Sequence, residues 1–177
     1  MKKLTLLCTL FASLAVSNIW ADTTEKSAPP AASISPQVKP NTSLNAKIVL
    51  AAGDGQTARK DWKGIATPHA VNSVSQGSAL SILIAFSDCK ANAKGVCDVV
   101  ADFFVVSPDG VKKSGGSGAV WSGAPFSVPN ISLLGQASLT AGFDKTDPVG
   151  DYKALVTVTD KVSGKVLNLE APFKVTK

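Results

Sequence analysis

One histidine, His69, stands in a chain of 177 residues that carries thirteen carboxylate side chains. A serine or cysteine hydrolase needs an imidazole or an equivalent base beside its nucleophile, and a lone histidine leaves little room for such a set. No Gly-Xaa-Ser-Xaa-Gly elbow, His-Glu-Xaa-Xaa-His helix or phosphate loop is present. The glycine-rich run at 114–118, Ser-Gly-Gly-Ser-Gly, has no strand-to-helix context, so it reads as a hairpin loop and not as a phosphate cradle. Asp144, Asp147 and Asp151 fall in one stretch, with Asp160 at the next turn. Hard oxygen donors so close together are the raw material of a calcium site. Their spacing matches no calcium loop, however, and Asp147 before Pro148 is ordinary turn chemistry. The expectation is no catalytic residue, no metal and no cofactor.

Two other groups of residues invite a reading. Cys89 and Cys97 flank Lys-Ala-Asn-Ala-Lys-Gly-Val. A redox dithiol wants two intervening residues at a helix start, and a zinc site wants further thiols or imidazoles. With Cys8 in the leader described below, one intramolecular pairing remains, and a disulfide closing a hairpin loop is expected. The second group is the long stretch 53–69, which concentrates Arg59, Lys60, Asp61, Trp62 and His69. Arg59 is the chain's single arginine, and Arg and Trp are the residue types that most often anchor binding surfaces. Trp121, followed by Ser-Gly-Ala-Pro, is a second aromatic beside a loop. These six residues form the candidate binding set. The competing reading makes Trp62 and Trp121 caps over the two ends of a core.

The chain begins with an address. Lys2 and Lys3 precede an apolar run over 4–16, too short to span a bilayer, which reads as a secretory signal peptide over 1–21. Ile19 is bulky for a cleavage site after Ala21, so cleavage near Ala15 or Ser17 is the alternative. Residues 22–43 carry Pro29, Pro30, Pro36 and Pro40 among Ala, Ser and Thr, a spacer that cannot bury enough surface to order itself. No later segment approaches transmembrane length, so no integral membrane segment is expected after signal cleavage. The net charge of +5 includes Lys2 and Lys3, and the remaining lysines are scattered without aromatic interleaving. That is a solvated surface and excludes a nucleic-acid footprint.

Residues 44–177 are long enough for one domain with a real core. The end of the chain sets its architecture. Tyr152, Ala154, Val156 and Val158 alternate with Lys153, Thr157 and Thr159, then a Gly-containing turn leads to Leu167, Leu169, Ala171, Phe173 and Val175 on one face. A period of two on both sides of a turn predicts an antiparallel hairpin with one buried face. Further strands are expected at 47–52, 78–87, 98–106, 119–121 and 131–143, the last broken by Gly135, and Pro108-Asp109-Gly110 is a turn. The 98–106 stretch is apolar on both faces except at Asp102, as a central strand would be. Pro172 predicts an edge position. No helical periodicity emerges. The fold class is all-β: an immunoglobulin-like antiparallel β-sandwich of about seven strands with one disulfide.

The closing run Asp147-Pro148-Val149-Gly150-Asp151-Tyr152, with Val156, Val158, Gly164, Leu167, Phe173 and Val175, resembles the end of immunoglobulin-like and macroglobulin-type domains. Phe86-Ser87-Asp88-Cys89 to Cys97, with Trp121-Ser122-Gly123, is similar to small exported proteobacterial proteins of no assigned activity. The likeness implies a sandwich and transfers no functional residue, since one fold hosts many functions. The inter-sheet cysteine pair and central-strand Trp of antibody domains are missing. Three function classes follow in order: a periplasmic or secreted non-catalytic module binding a protein of the cell envelope, a structural or accessory subunit of an envelope or surface assembly, and last an enzyme.

Overall fold

A computed structural model describes residues 43–63, 70–128 and 131–177. The signal-peptide reading over 1–21, the spacer up to residue 42 and His69 lie outside the described residues. In chain order the elements are β1 (Asn45–Ala52), α1 (Gln56–Asp61), β2 (Ser73–Ser75), β3 (Ala79–Ser87), β4 (Val99–Val106), β5 (Lys112–Trp121), β6 (Leu133–Gly142), β7 (Gly150–Asp160) and β8 (Lys165–Thr176). They form two sheets, one ordered β1-β3-β6 and the other β2-β8-β7-β4-β5. All pairings are antiparallel except the short β2–β8 pair. The protein is therefore all-β with two sheets, and Cys89 and Cys97 form a disulfide.

The closing hairpin pairs along its whole length, from Gly150 opposite Val175 to Asp160 opposite Lys165. Its alternation does what a period of two requires. Tyr152, Ala154, Val156 and Val158 of β7 are buried, as are Phe173 and Val175 of β8, while Lys153 and Glu170 meet at 2.9 Å on the exposed face. These inward side chains pack against Leu80, Ile82, Ile84 and Phe86 of β3, and Val99, Ala101 and Phe103 of β4 complete the core. At one end Phe143, Tyr152 and Phe173 form an aromatic cluster with centroids 5.4 to 5.7 Å apart. The Tyr152 hydroxyl donates to the carbonyl oxygen of Pro148 at 2.8 Å, which ties the entry of β7 to the preceding turn.

Strand β4 lies between β7 and β5, the central position its two apolar faces predict. Pro172 lies on β8, which has β7 on one side and the short β2 on the other. Lys174 donates its amide outward to Asn72, so the position two residues earlier on the same strand likewise faces away from β7, where a missing N–H costs no ladder bond. Among the described residues β2 pairs only with Lys174, Val175 and Thr176, so no ladder partner stands beside Pro172 on that side.

Four expectations need correction. The described residues hold eight strands; the added one, β2, is three residues long and too short to show a period. There is also a helix, α1, which at six residues is too short to display helical periodicity. Residues 114–118 are not a loop: they lie inside β5, which runs ten residues, and the turn before it is Pro108-Asp109-Gly110, where the Gly110 amide donates to Ser107. Glycines within a strand mark a close approach of something else. At Gly115 a Cβ would overlap the Leu139 side chain of β6, whose Cγ would be only 3.1 Å away. Gly135 does not break β6 either. It lies at a bulge, between the Leu83–Ser138 and Ala85–Leu134 pairs, and strand β6 continues through it.

Candidate functional site

Of the candidate binding residues, four cluster on and just after α1. Asp54 starts the helix by accepting the Gln56 amide at 3.0 Å, and Gly55, with φ of 72°, precedes its first turn. Gly55 is obligatory on two counts: its left-handed backbone, and a neighbour, Ser81, that would lie 3.0 Å from any Cβ. The helix lays Ala58 against Val49, Ala51, Leu83 and Ala85, the outward face of the β1-β3-β6 sheet, with Trp62 and Leu134 at the border. This cover explains why β3 is buried on both faces.

Arg59 and Trp62 fasten α1 to β6. The Arg59 guanidinium donates from Nη1 to the carbonyl oxygen of Gly135 and from Nη2 to that of Gln136 at 2.9 Å. Both carbonyls belong to the bulge, and the planar fork of one guanidinium suits two neighbouring acceptors. Burial lowers the Arg59 pKa from its ordinary value, yet the group stays cationic. The Trp62 indole donates from Nε1 to Ser132 at 2.8 Å. Arg59, Asp61 and Trp62 are half-buried; Lys60 and Lys63 are exposed.

Trp121 is elsewhere. It ends β5, its ring stands 5.9 Å from that of Phe86 beside the core between the two sheets, and its Nε1 donates to Ala124 at 2.9 Å. Trp62 borders the outward cluster and Trp121 the inward one, so the structure does not bring the two indoles into one site. Neither is fully buried.

Three of the four carboxylates singled out by sequence, Asp144, Asp147 and Asp160, accept backbone amides. Asp144 accepts the Thr146 amide at 2.7 Å and the Thr146 hydroxyl at 2.5 Å, and Asp147 accepts the Asp144 amide at 2.8 Å. Those bonds hold the Asp144 carboxyl below the usual carboxylate range. Asp151 pairs loosely with Lys174 at 3.6 Å. Asp160, with no exposed surface, accepts the Lys90 amide at one oxygen and the Val162 and Ser163 amides at the other. It thereby joins the disulfide loop to the β7–β8 turn. Asp88 holds a φ of 58° at the end of β3, and its buried Oδ1 has no hydrogen-bond partner among the described residues. Among the described residues no three His, Cys, Asp or Glu side chains are placed to hold a metal ion.

A feature that sequence reasoning missed lies where the edges of the two sheets meet. Across β5 and β6 the close packing of Gly115 on Leu139 and Gly118 on Ala137 gives way to a cavity of about 260 Å³. Val105, Val111, Leu139, Ala141, Phe143 and Tyr152 make its apolar wall, and Asp109, Lys113 and Asp147 stand among its polar residues. Burial raises the Tyr152 phenol, and the charges of Asp147 and Asp109 raise it further. Asp109 is held below the usual carboxylate range by the Ser107 hydroxyl and the Val111 amide. No local pattern signals such a cavity, because β5 and β6 are not paired and their approach is a property of the assembled sheets.

No family model matches the chain, and no curated protein matches it. Solved structures that align with part of the chain include the alkylpurine DNA glycosylase AlkC of Pseudomonas fluorescens, at 14% identity and a TM-score of 0.38, covering 75% of this chain and 30% of that one. A family 123 glycoside hydrolase from Clostridium perfringens aligns at 15% identity and a TM-score of 0.40, over 77% of this chain and 28% of the other. A Niemann-Pick type C2 protein from the Japanese carpenter ant aligns at 13% identity and a TM-score of 0.38, over 73% and 89%. The chain thus spans less than a third of the length of the first two, and similarity at this level assigns neither family nor activity.

Proposed function

We propose that this protein is an exported, non-catalytic binding module that engages a protein of the cell envelope through the α1–Trp62 face. The observation that carries the reading is the fastening of Arg59 and Trp62 to three carbonyls of the β6 region, Ser132, Gly135 and Gln136. It holds a half-exposed indole rigid beside the exposed Lys60 and Lys63. A pre-ordered aromatic flanked by charge loses little freedom on association, which is what a binding anchor needs. No acid, base and nucleophile converge among the described residues, which favours binding over catalysis.

Export to the periplasm or beyond is supported by the charged and apolar order of residues 2–16 and by the Cys89–Cys97 disulfide, which persists in oxidising compartments. Among the described residues no helix is long and apolar enough to cross a membrane. An immunoglobulin-like sandwich over 44–177 is supported by the strand order β1-β3-β6 facing β8-β7-β4-β5 and by the Tyr152–Pro148 bond at the entry of the penultimate strand.

The test is cross-linking capture from intact cells with tagged protein, read by mass spectrometry. Wild type is compared with Lys60→Glu, Lys63→Glu and Trp62→Ala, each checked for folding by thermal melt. A partner enriched by wild type and lost from the folded charge variants supports the reading. A partner held equally by all of them overturns it.

A further inference from the structure

We propose that the cavity between the β5 and β6 edges is a binding site for a small organic cation: a short aliphatic chain or single aromatic ring carrying an ammonium. This stands apart from the protein-binding reading, because it uses the seam between the sheets and not the α1 face.

The first argument is shape. Sandwich ends are ordinarily filled by side chains, since interiors pack to the density of organic crystals. Here the room comes from the small side chain of Ala141, which alternates with Leu139 and Phe143 on the face that lines the cavity. The volume of about 260 Å³ falls just under the range of pockets for drug-sized ligands, which sets the ligand at one ring or a short chain. The wall of Val111, Leu139, Ala141, Phe143 and Tyr152 selects for apolar matter.

The second argument is charge. Asp109 and Asp147 line the cavity with Lys113 as their counterpart, so the lining carries one more carboxylate than ammonium. Asp109 and Asp147 share the lining with Tyr152, whose phenol is raised first by burial and then by their two charges. The bonds from Ser107 and Val111 keep Asp109 ionised. The Tyr152 hydroxyl is committed to Pro148, so it does not turn toward a ligand as a donor. A cation with an apolar body satisfies both the wall and the field, whereas an anion of the same size meets the carboxylates.

The experiment titrates purified, ¹⁵N-labelled protein with hexylammonium, hexanoate and hexanol, and follows backbone amide shifts. The expected result is saturable shifts at Gly115, Ala141, Gly142 and Val111, with hexylammonium bound at least about tenfold more tightly than hexanoate. Asp109→Asn and Asp147→Asn should each weaken hexylammonium severalfold and leave hexanol unchanged. Ala141→Phe should fill the cavity and abolish all three; should that variant fail to fold, Val111→Phe enlarges a half-exposed side chain of the same wall. Absence of saturable shifts at these amides, or shifts scattered over the surface, overturns the site. Hexanoate or hexanol bound as tightly as hexylammonium overturns the assignment of a cation.

Discussion

The indole Nε1 of Trp62 donates to the carbonyl oxygen of Ser132 at 2.8 Å, across seventy residues of sequence. This bond and the two from Arg59 turn a six-residue helix, too short to hold itself, into a fixed cover over Val49, Ala51, Leu83 and Ala85. Trp62→Phe keeps the ring and leaves the Ser132 carbonyl without its donor, for an expected loss of about 1 kcal/mol. Trp62→Ala also uncovers the apolar face and should cost about 2–4 kcal/mol. Urea unfolding of the two variants checks the order; equal losses would mean that the ring's packing contributes nothing.

Glycine chemistry in β5 gives a paired forecast. Gly115→Ala forces the Leu139 side chain aside and should destabilise by about 1–3 kcal/mol. The double variant Gly115→Ala with Leu139→Ala should fall short of the summed single losses, because the clash has been removed. Gly116 is the control. Its φ of 90° strains any other residue although nothing lies within 4 Å of a Cβ, so Leu139→Ala should not relieve Gly116→Ala. Chemical denaturation of the three single and two double variants beside the wild type decides. These glycines look like a flexible loop in the sequence because glycine's local preferences are the same in a loop and under a packed leucine.

Asp160 predicts a pH dependence. Burial would raise its pKa, but the amides of Lys90, Ser163 and Val162 and the Ser163 hydroxyl outweigh burial and hold it below the ordinary value. A carboxyl with a lower pKa in the folded chain than in the unfolded one stabilises the fold above the unfolded value, about 4. That contribution is lost as pH falls through the folded value. Asp160→Asn should therefore lower stability at neutral pH by about 1–3 kcal/mol and flatten the acid limb. Unfolding free energies measured at neutral pH and near pH 3 test this; parallel acid limbs would remove Asp160 as a contributor.

The disulfide closes a short loop, with eight residues of sequence separation between Cys89 and Cys97. Restricting that loop in the unfolded chain is worth about 2–3 kcal/mol. Replacing both cysteines with Ala should lower unfolding stability by about that amount and leave the fold intact, because Lys90 remains anchored to Asp160. Far-ultraviolet circular dichroism and denaturant titration provide the check, and a fully unfolded double variant would show that Asp160 cannot hold the loop without the covalent link.

By itself the sequence determined the all-β class, the closing hairpin with its buried face, the central place of β4 and the Cys89–Cys97 pair. Each rests on information local in the chain: side chains two apart share a face of a strand, and two cysteines eight residues apart flank one short loop. The tertiary structure alone decided what each local feature faces. Residues 114–118 lie in a strand packed on β6, where Leu139 fills the place of a side chain at Gly115 and Ala137 stands close to that at Gly118. Arg59 and Trp62 came together because the β6 bulge offers them carbonyls, while Trp121 went to the other face with Phe86. The cavity arises between two edges that never pair, so its wall is assembled from β4 through β7 and leaves no period for sequence to carry.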